Sequence, residues 1–117
     1  MMNVSRWLYI QIVINIRLLS FEGCPNALPA QELIEAVIHD LGIEASVIHT
    51  RVNSEEDADK YQFLGSPTIQ VDGKDIEKSR RSEKSLFGCR IYKSADLQTG
   101  VPPRQMLEAA IREALAK

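Results

Sequence analysis

The feature that most constrains this chain is a change of hydrophobic period on either side of one cysteine. Val13 to Leu19 is a near-continuous apolar run in which Val13, Ile14 and Ile16 are branched at Cβ, a composition that suits a strand buried on both faces. Further on, Leu33, Ile34, Val37, Ile38 and Leu41 recur at helical spacing, and Gly42 stands where such a helix would stop. Between the two lies Phe21-Glu22-Gly23-Cys24-Pro25-Asn26-Ala27. A central first strand, a cysteine-bearing turn and an amphipathic helix are therefore expected in that order. Asn26 as N-cap reconciles the two nearby prolines. It puts Pro29 at the third helical position, where a missing N–H has no intrahelical acceptor in any case.

The remaining elements follow from similar local signals. Ala45 to Val52 carries Val47, Ile48 and Thr50 and is expected to form a second strand parallel to the first. Ser54 followed by Asp57 reads as an N-cap box, with Glu55 and Glu56 on the positive end of a short helix that stops near Gly65. Thr68-Ile69-Gln70-Val71, then Asp72-Gly73, then Lys74-Asp75-Ile76 spell two strands around a tight turn. Pro102 and Pro103 open a last helix, on which Met106, Leu107, Ala110, Ile111, Ala114 and Leu115 form one apolar stripe. The order β-α-β-α-β-β-α predicts an α/β fold with a central mixed sheet flanked by helices, its third strand antiparallel to the first. Residues 77–99 are an insertion before the last helix. Glu77 to Ser85 is polar throughout and reads as a solvated loop, whereas Leu86-Phe87-Gly88-Cys89-Arg90-Ile91-Tyr92 reads as a packed segment. Residues 1–12 stand outside the pattern, and Trp7, Leu8, Tyr9 and Ile10 suit either an extra edge strand or an ordered arm.

A chain of 117 residues with 44% hydrophobic content supports one core of ordinary size, so residues 1–117 are read as a single domain. Lys and Arg number 14 against 16 Asp and Glu, for a net charge of −2, and no extended basic run is present; a nucleic-acid partner is not expected. Gln11, Asn15 and Arg17 interrupt the apolar stretch from Leu8 to Leu19, which is shorter than the roughly 20 residues of a membrane span. Only Arg6 supplies positive charge ahead of that stretch and no small-x-small cleavage site follows, so the cytoplasm is the default compartment and the two cysteines read as thiols. No Cys-x-x-Cys, His-x-x-x-His or Cys-x-x-His spacing exists, and His39 and His49 are not at ligand spacing from a cysteine, so a structural zinc site is not expected. Phosphate-binding glycine loops and a nucleophile elbow are absent too, and no cofactor is implied.

Chemistry concentrates on Cys24. A sulfur near a helix N-terminus meets free backbone N–H groups and the positive end of the dipole, both of which favour the nucleophilic thiolate; the plain alternative is a small buried hydrophobe in a loop. Taken with Gly65-Ser66-Pro67-Thr68-Ile69, the Cys24 turn resembles the active-site signature of thioredoxin-fold proteins, the glutaredoxins among them, over most of the chain from about Ile14 onward. That resemblance implies a cysteine after the first strand facing a cis-proline, Pro67, before the third. It implies a substrate-binding set of Pro25, Ser66, Pro67 and Thr68, with Ser66 offering its backbone N–H and C=O to an extended peptide or to glutathione. It also exposes two departures. Ala27 occupies the second position of the Cys-x-x-Cys pattern, so a local dithiol cycle is not available. The Cys-Gly-Phe-Ser motif and the paired glycines of cluster-binding monothiol members are missing as well. In such a fold the insertion after Ile76 leaves the sheet at the active-site edge, where Cys89 is either a resolving thiol for Cys24 or a packing cysteine. The function expected is thiol–disulfide exchange at Cys24, as a possible thiol-disulfide oxidoreductase acting on protein thiols or glutathione. The alternatives are a non-catalytic module that holds a peptide beside Pro67, and a carrier of a soft thiophilic ion through Cys24 and Cys89.

Overall fold

The change of period after Leu19 is realised as strand β1 (Ile14–Ser20), a tight turn and helix α1 (Ala27–Leu41) in a computed structural model that describes residues 13–94 and 97–116. The expectation for Trp7 to Ile10 lies outside the described residues. The chain continues through β2 (Ala45–Arg51), α2 (Glu55–Tyr61), β3 (Leu64–Ser66), β4 (Thr68–Val71) and β5 (Lys74–Asp75). A 3-10 turn at Lys78–Arg80 leads to β6 (Leu86–Cys89), β7 (Tyr92–Ser94), β8 (Leu97–Thr99) and α3 (Arg104–Leu115). The result is mixed α/β, with three helices around a four-stranded sheet of order β2-β1-β4-β5. β1 runs parallel to β2, from the Ile14–Ala45 pair to the Ser20–Arg51 pair, and antiparallel to β4, from Ile16–Val71 to Leu19–Thr68. β3 pairs with β6, and β7 with β8, in two further two-stranded ladders that the sequence reading did not contain.

Strand alternation divides the core. Ile14, Ile16 and Leu18 point to one face, where they meet Ile69 and Val71, Ala30, Ile34 and Val37 of α1, and Leu107, Ala110, Ile111 and Ala114 of α3. Leu19 points the other way into a smaller cluster with Val52, Ala58 and Phe63 beneath α2. The expectation that β1 is buried on both faces is corrected for its first half: Asn15 is exposed and Arg17 partly so, because α2 has only seven residues and covers only the far end. β2 is likewise mostly exposed. On α3, Leu115 falls outside the buried stripe at 39% exposure.

The local signals act largely as their chemistry dictates. Gly42 ends α1 in the left-handed region (φ 62°), and Asp72 and Gly73 take φ 49° and 82° in the hairpin turn. The Ser54 hydroxyl accepts the Asp57 N–H (3.1 Å), while the Asp57 carboxylate accepts the Asn53 N–H (3.0 Å). α2 does not run on towards Gly65; it stops at Gln62, itself left-handed (φ 57°). Gly65 belongs to β3 at φ +105°, where a Cβ would stand 3.0 Å from the Cβ of Arg90.

The insertion keeps its expected character in the polar half and departs from it in the apolar half. Glu77 to Ser85 has no buried residue and faces solvent as expected, with surface ion pairs from Arg80 to Glu77 and Glu83, and from Arg81 to Glu113 of α3. The apolar stretch is not packed throughout: Leu86, Phe87 and Ile91 are 50%, 40% and 55% exposed, while Arg90 and Tyr92 are buried.

Candidate thiol site

β1 ends at Ser20 and hands the chain to a turn in which the Cys24 N–H donates to the Phe21 carbonyl (3.3 Å) and the Ala27 N–H to the Cys24 carbonyl (3.3 Å). Cys24 is half-buried there, two residues ahead of the N-cap Asn26, with Pro25 exposed beside it. The first α1 hydrogen bond runs from the Ala30 N–H to the Asn26 carbonyl (3.1 Å), so Pro29 holds the third helical position as expected. The Asn26 side chain makes no cap bond. It packs instead on Gly100 before α3, where any Cβ would come within 2.1 Å of its amide nitrogen.

The second half of the site stands against this turn. The β1–β4 register closes with Leu19 opposite Thr68, so Pro67 follows at the same sheet edge from which the Cys24 turn departs. The Ser66–Pro67 peptide is cis and Pro67 is buried. The Ser66 hydroxyl accepts the Phe21 N–H (3.3 Å), joining the two segments directly. Thr68 serves structure: its hydroxyl donates to the Gly65 carbonyl (2.6 Å) and accepts the Leu64 N–H (3.1 Å).

Two residues that sequence reasoning passed over hold the Ser66-Pro67-Thr68 segment from behind. The Arg90 N–H donates to the Ser66 carbonyl (3.1 Å), the Tyr92 hydroxyl to the Pro67 carbonyl (2.6 Å), and Arg90 Nη1 to the Thr68 hydroxyl (3.2 Å). Arg90 is 2% exposed; its two terminal nitrogens each lie 2.8 Å from an Asp75 carboxylate oxygen, and Nη2 also reaches Glu77 at 3.0 Å. Its Nε is buried with no hydrogen-bond partner among the described residues. Burial works against the guanidinium charge, but the hydrogen bonds and charge of Asp75 outweigh it and hold Arg90 above its usual range. Burial likewise pushes the Tyr92 hydroxyl well up, so it remains a donor. The available signal was Arg90 itself, a single charge inside an apolar run, since a charged side chain in such a place is rarely buried unless paired.

Cys89 sits on β6 opposite Ser66. The β3–β6 ladder steps two residues on one strand (Leu64 to Ser66) against three on the other (Leu86 to Cys89), so β6 carries one extra residue. That irregularity sends Leu86 and Cys89 to the same side, into an open groove with Leu64, Glu77, Arg80 and Lys93. Phe87 goes to the other side, where its ring meets Phe21 edge-on at 5.9 Å and Phe63 at 6.5 Å. Both thiols are free, and Cys24 does not line the Cys89 groove. A second open groove, formed by Phe21, Glu22, Val52, Asn53 and Phe87, adjoins the Cys24 turn.

Neither histidine lines the Cys89 groove. His39 pairs with Asp40 on the exposed face of α1. His49 Nε2 lies 2.7 Å from the Ser20 hydroxyl, and burial together with the Arg51 charge lowers its pKa. Among the described residues, no three or more His, Cys, Asp or Glu side chains are grouped to hold a metal ion, and no helix is long and apolar enough to cross a membrane. Comparison with family models, curated proteins and solved structures returned no match for this chain.

Proposed function

We propose that the chain is a thioredoxin-like protein that carries out thiol–disulfide exchange through Cys24 as a monothiol. The observation that carries this reading is the Phe21 N–H to Ser66 hydroxyl bond, which sets a half-buried cysteine ahead of a 15-residue helix against the Ser66-Pro67-Thr68 segment. The sheet order, with the third long strand antiparallel to the first, supports the same assignment. In the reaction the Cys24 thiolate attacks one sulfur of a disulfide; a mixed disulfide forms and the other sulfur leaves as a thiolate, which takes a proton from solvent. Ala27 supplies no second sulfur, and Cys89 opens into a groove that Cys24 does not line. We assign resolution to an incoming thiol such as glutathione, and a reducing compartment such as the cytoplasm suits both free cysteines.

The test is incubation with oxidised glutathione followed by peptide mapping. The adduct is expected at Cys24 and absent in Cys24→Ser, with added thiol releasing it. An adduct confined to the exposed Cys89, unchanged by Cys24→Ser, would sink the proposal.

A further inference from the structure

We infer that β6 occupies, from within the chain, the strand edge beside Cys24 that an extended peptide would take, so that the substrates of Cys24 are small disulfides and thiols. This rests on the exchange reading above. Extended peptides dock by adding a strand to an open edge, where their main-chain groups pair with those of the sheet. The edge next to the Cys24 turn is β3, because Ser66 is the residue bonded to Phe21. Acceptors at both ends of it are already used: the Phe63 carbonyl, just ahead of β3, takes the Leu86 N–H (2.8 Å) and the Ser66 carbonyl takes the Arg90 N–H (3.1 Å). A peptide added to the outer edge of β6 would stand one strand spacing further out, about 4.8 Å, beside Cys89.

β6 is also fastened. The paired Arg90 guanidinium and the Tyr92 hydroxyl on the Pro67 carbonyl anchor its far end, and the Phe87 ring rests on Phe21. Open at the Cys24 turn is the short groove of Phe21, Glu22, Val52, Asn53 and Phe87, which has room for a compact group. The exchange step is that given above, with a small disulfide RS–SR: the Cys24–SR bond forms as RS–SR breaks, and RS⁻ leaves.

The experiment compares two probes of the Cys24 thiol, each rate divided by that of N-acetylcysteine with the same probe. One is hydroxyethyl disulfide. The other is an extended peptide of alternating apolar residues whose central cysteine carries the same hydroxyethylthio group. Adducts at Cys24 are followed by peptide mapping. The protein is expected to favour hydroxyethyl disulfide by about tenfold or more, since the main-chain hydrogen bonds by which an extended peptide would dock are not available to it. Leu86→Pro removes the N–H given to Phe63 and should bring the two normalised rates to within about threefold. Should that variant fail to fold, hydrogen exchange on the parent protein decides: with peptide in excess, the Leu86 and Arg90 amides are expected to stay protected. Equal normalised rates in the parent, or loss of that protection on adding peptide, would overturn the inference while leaving the exchange reading intact. Absence of any Cys24 adduct with either probe would remove both.

Discussion

The four-stranded sheet and the insertion after β5 are held in place by opposite kinds of interaction. Between the sheet and its helices, Ile14, Ile16, Leu18, Ile34, Ile69, Leu107 and Ile111 are essentially fully buried, each worth roughly 1.5–3 kcal/mol relative to exposure. In the insertion, Leu86, Phe87 and Ile91 keep 40–55% of their surface, and the deepest side chains are an arginine and a tyrosine. Apolar burial is non-directional and tolerates small shifts. The Arg90–Asp75–Glu77 pairing and the Tyr92–Pro67 bond accept one geometry, so they fix where β6 lies although its strand buries little. The difference teaches that a peripheral strand can be set in register by a few buried polar contacts at one end.

The largest test of that contrast is Arg90→Met. It leaves the Asp75 carboxylate buried without its cation, and is expected to lower unfolding free energy by about 3–5 kcal/mol in urea titration. Leu107→Ala in the main core should cost a similar amount, about 2–5 kcal/mol, through a cavity. The two regions then differ in the kind of interaction and not in its size. An Arg90→Met loss below about 1 kcal/mol would show that the pairing does not hold the insertion. Next in size is Tyr92→Phe, which orphans the buried Pro67 carbonyl at an expected cost of about 1–3 kcal/mol; no change would mean that the carbonyl finds another donor.

The smallest effect belongs to the solvent-facing tie between the insertion and α3. The Arg81 guanidinium, 2.8 Å from Glu113, holds that carboxyl at about 2, below its ordinary 4.5. A depressed carboxyl contributes its stability above the unfolded value and loses it as pH falls from 4.5 towards 2. Urea midpoints across that window should therefore decline less steeply in Arg81→Gln than in the parent. Parallel declines would show that solvent screens the pair to nothing.

The elements recoverable from sequence are those whose cause is local. The helical spacing from Leu33 to Leu41 with Gly42 behind it, the Ser54 cap and the Asp72-Gly73 turn each depend on residues within a few positions, and each took its expected form. Cys24 was nameable as a candidate for the same reason, since the turn and the helix start lie in the chain itself, whereas Ser66 and Pro67 were named only through the resemblance to thioredoxin-fold proteins. The apolar half of the insertion was misjudged because apolarity was taken for burial and the charge of Arg90 for exposure. Arg81 and Arg90 have charged partners that sequence distance conceals: Glu113 lies 32 residues from Arg81, and Asp75 lies 15 from Arg90.

By itself, then, the order of residues determined where strands, helices and turns begin and end along most of the described chain, and that a cysteine would sit ahead of α1. Tertiary structure alone decided that β6 pairs with β3, that Arg90 and Tyr92 grip the Ser66-Pro67-Thr68 segment, and that Cys89 faces a groove Cys24 does not line. The physical reason is the two-residue repeat of a strand. One extra residue between Leu86 and Cys89 inverts which face a side chain meets, and an inversion of that kind is set by the partner strand, not by neighbours in sequence.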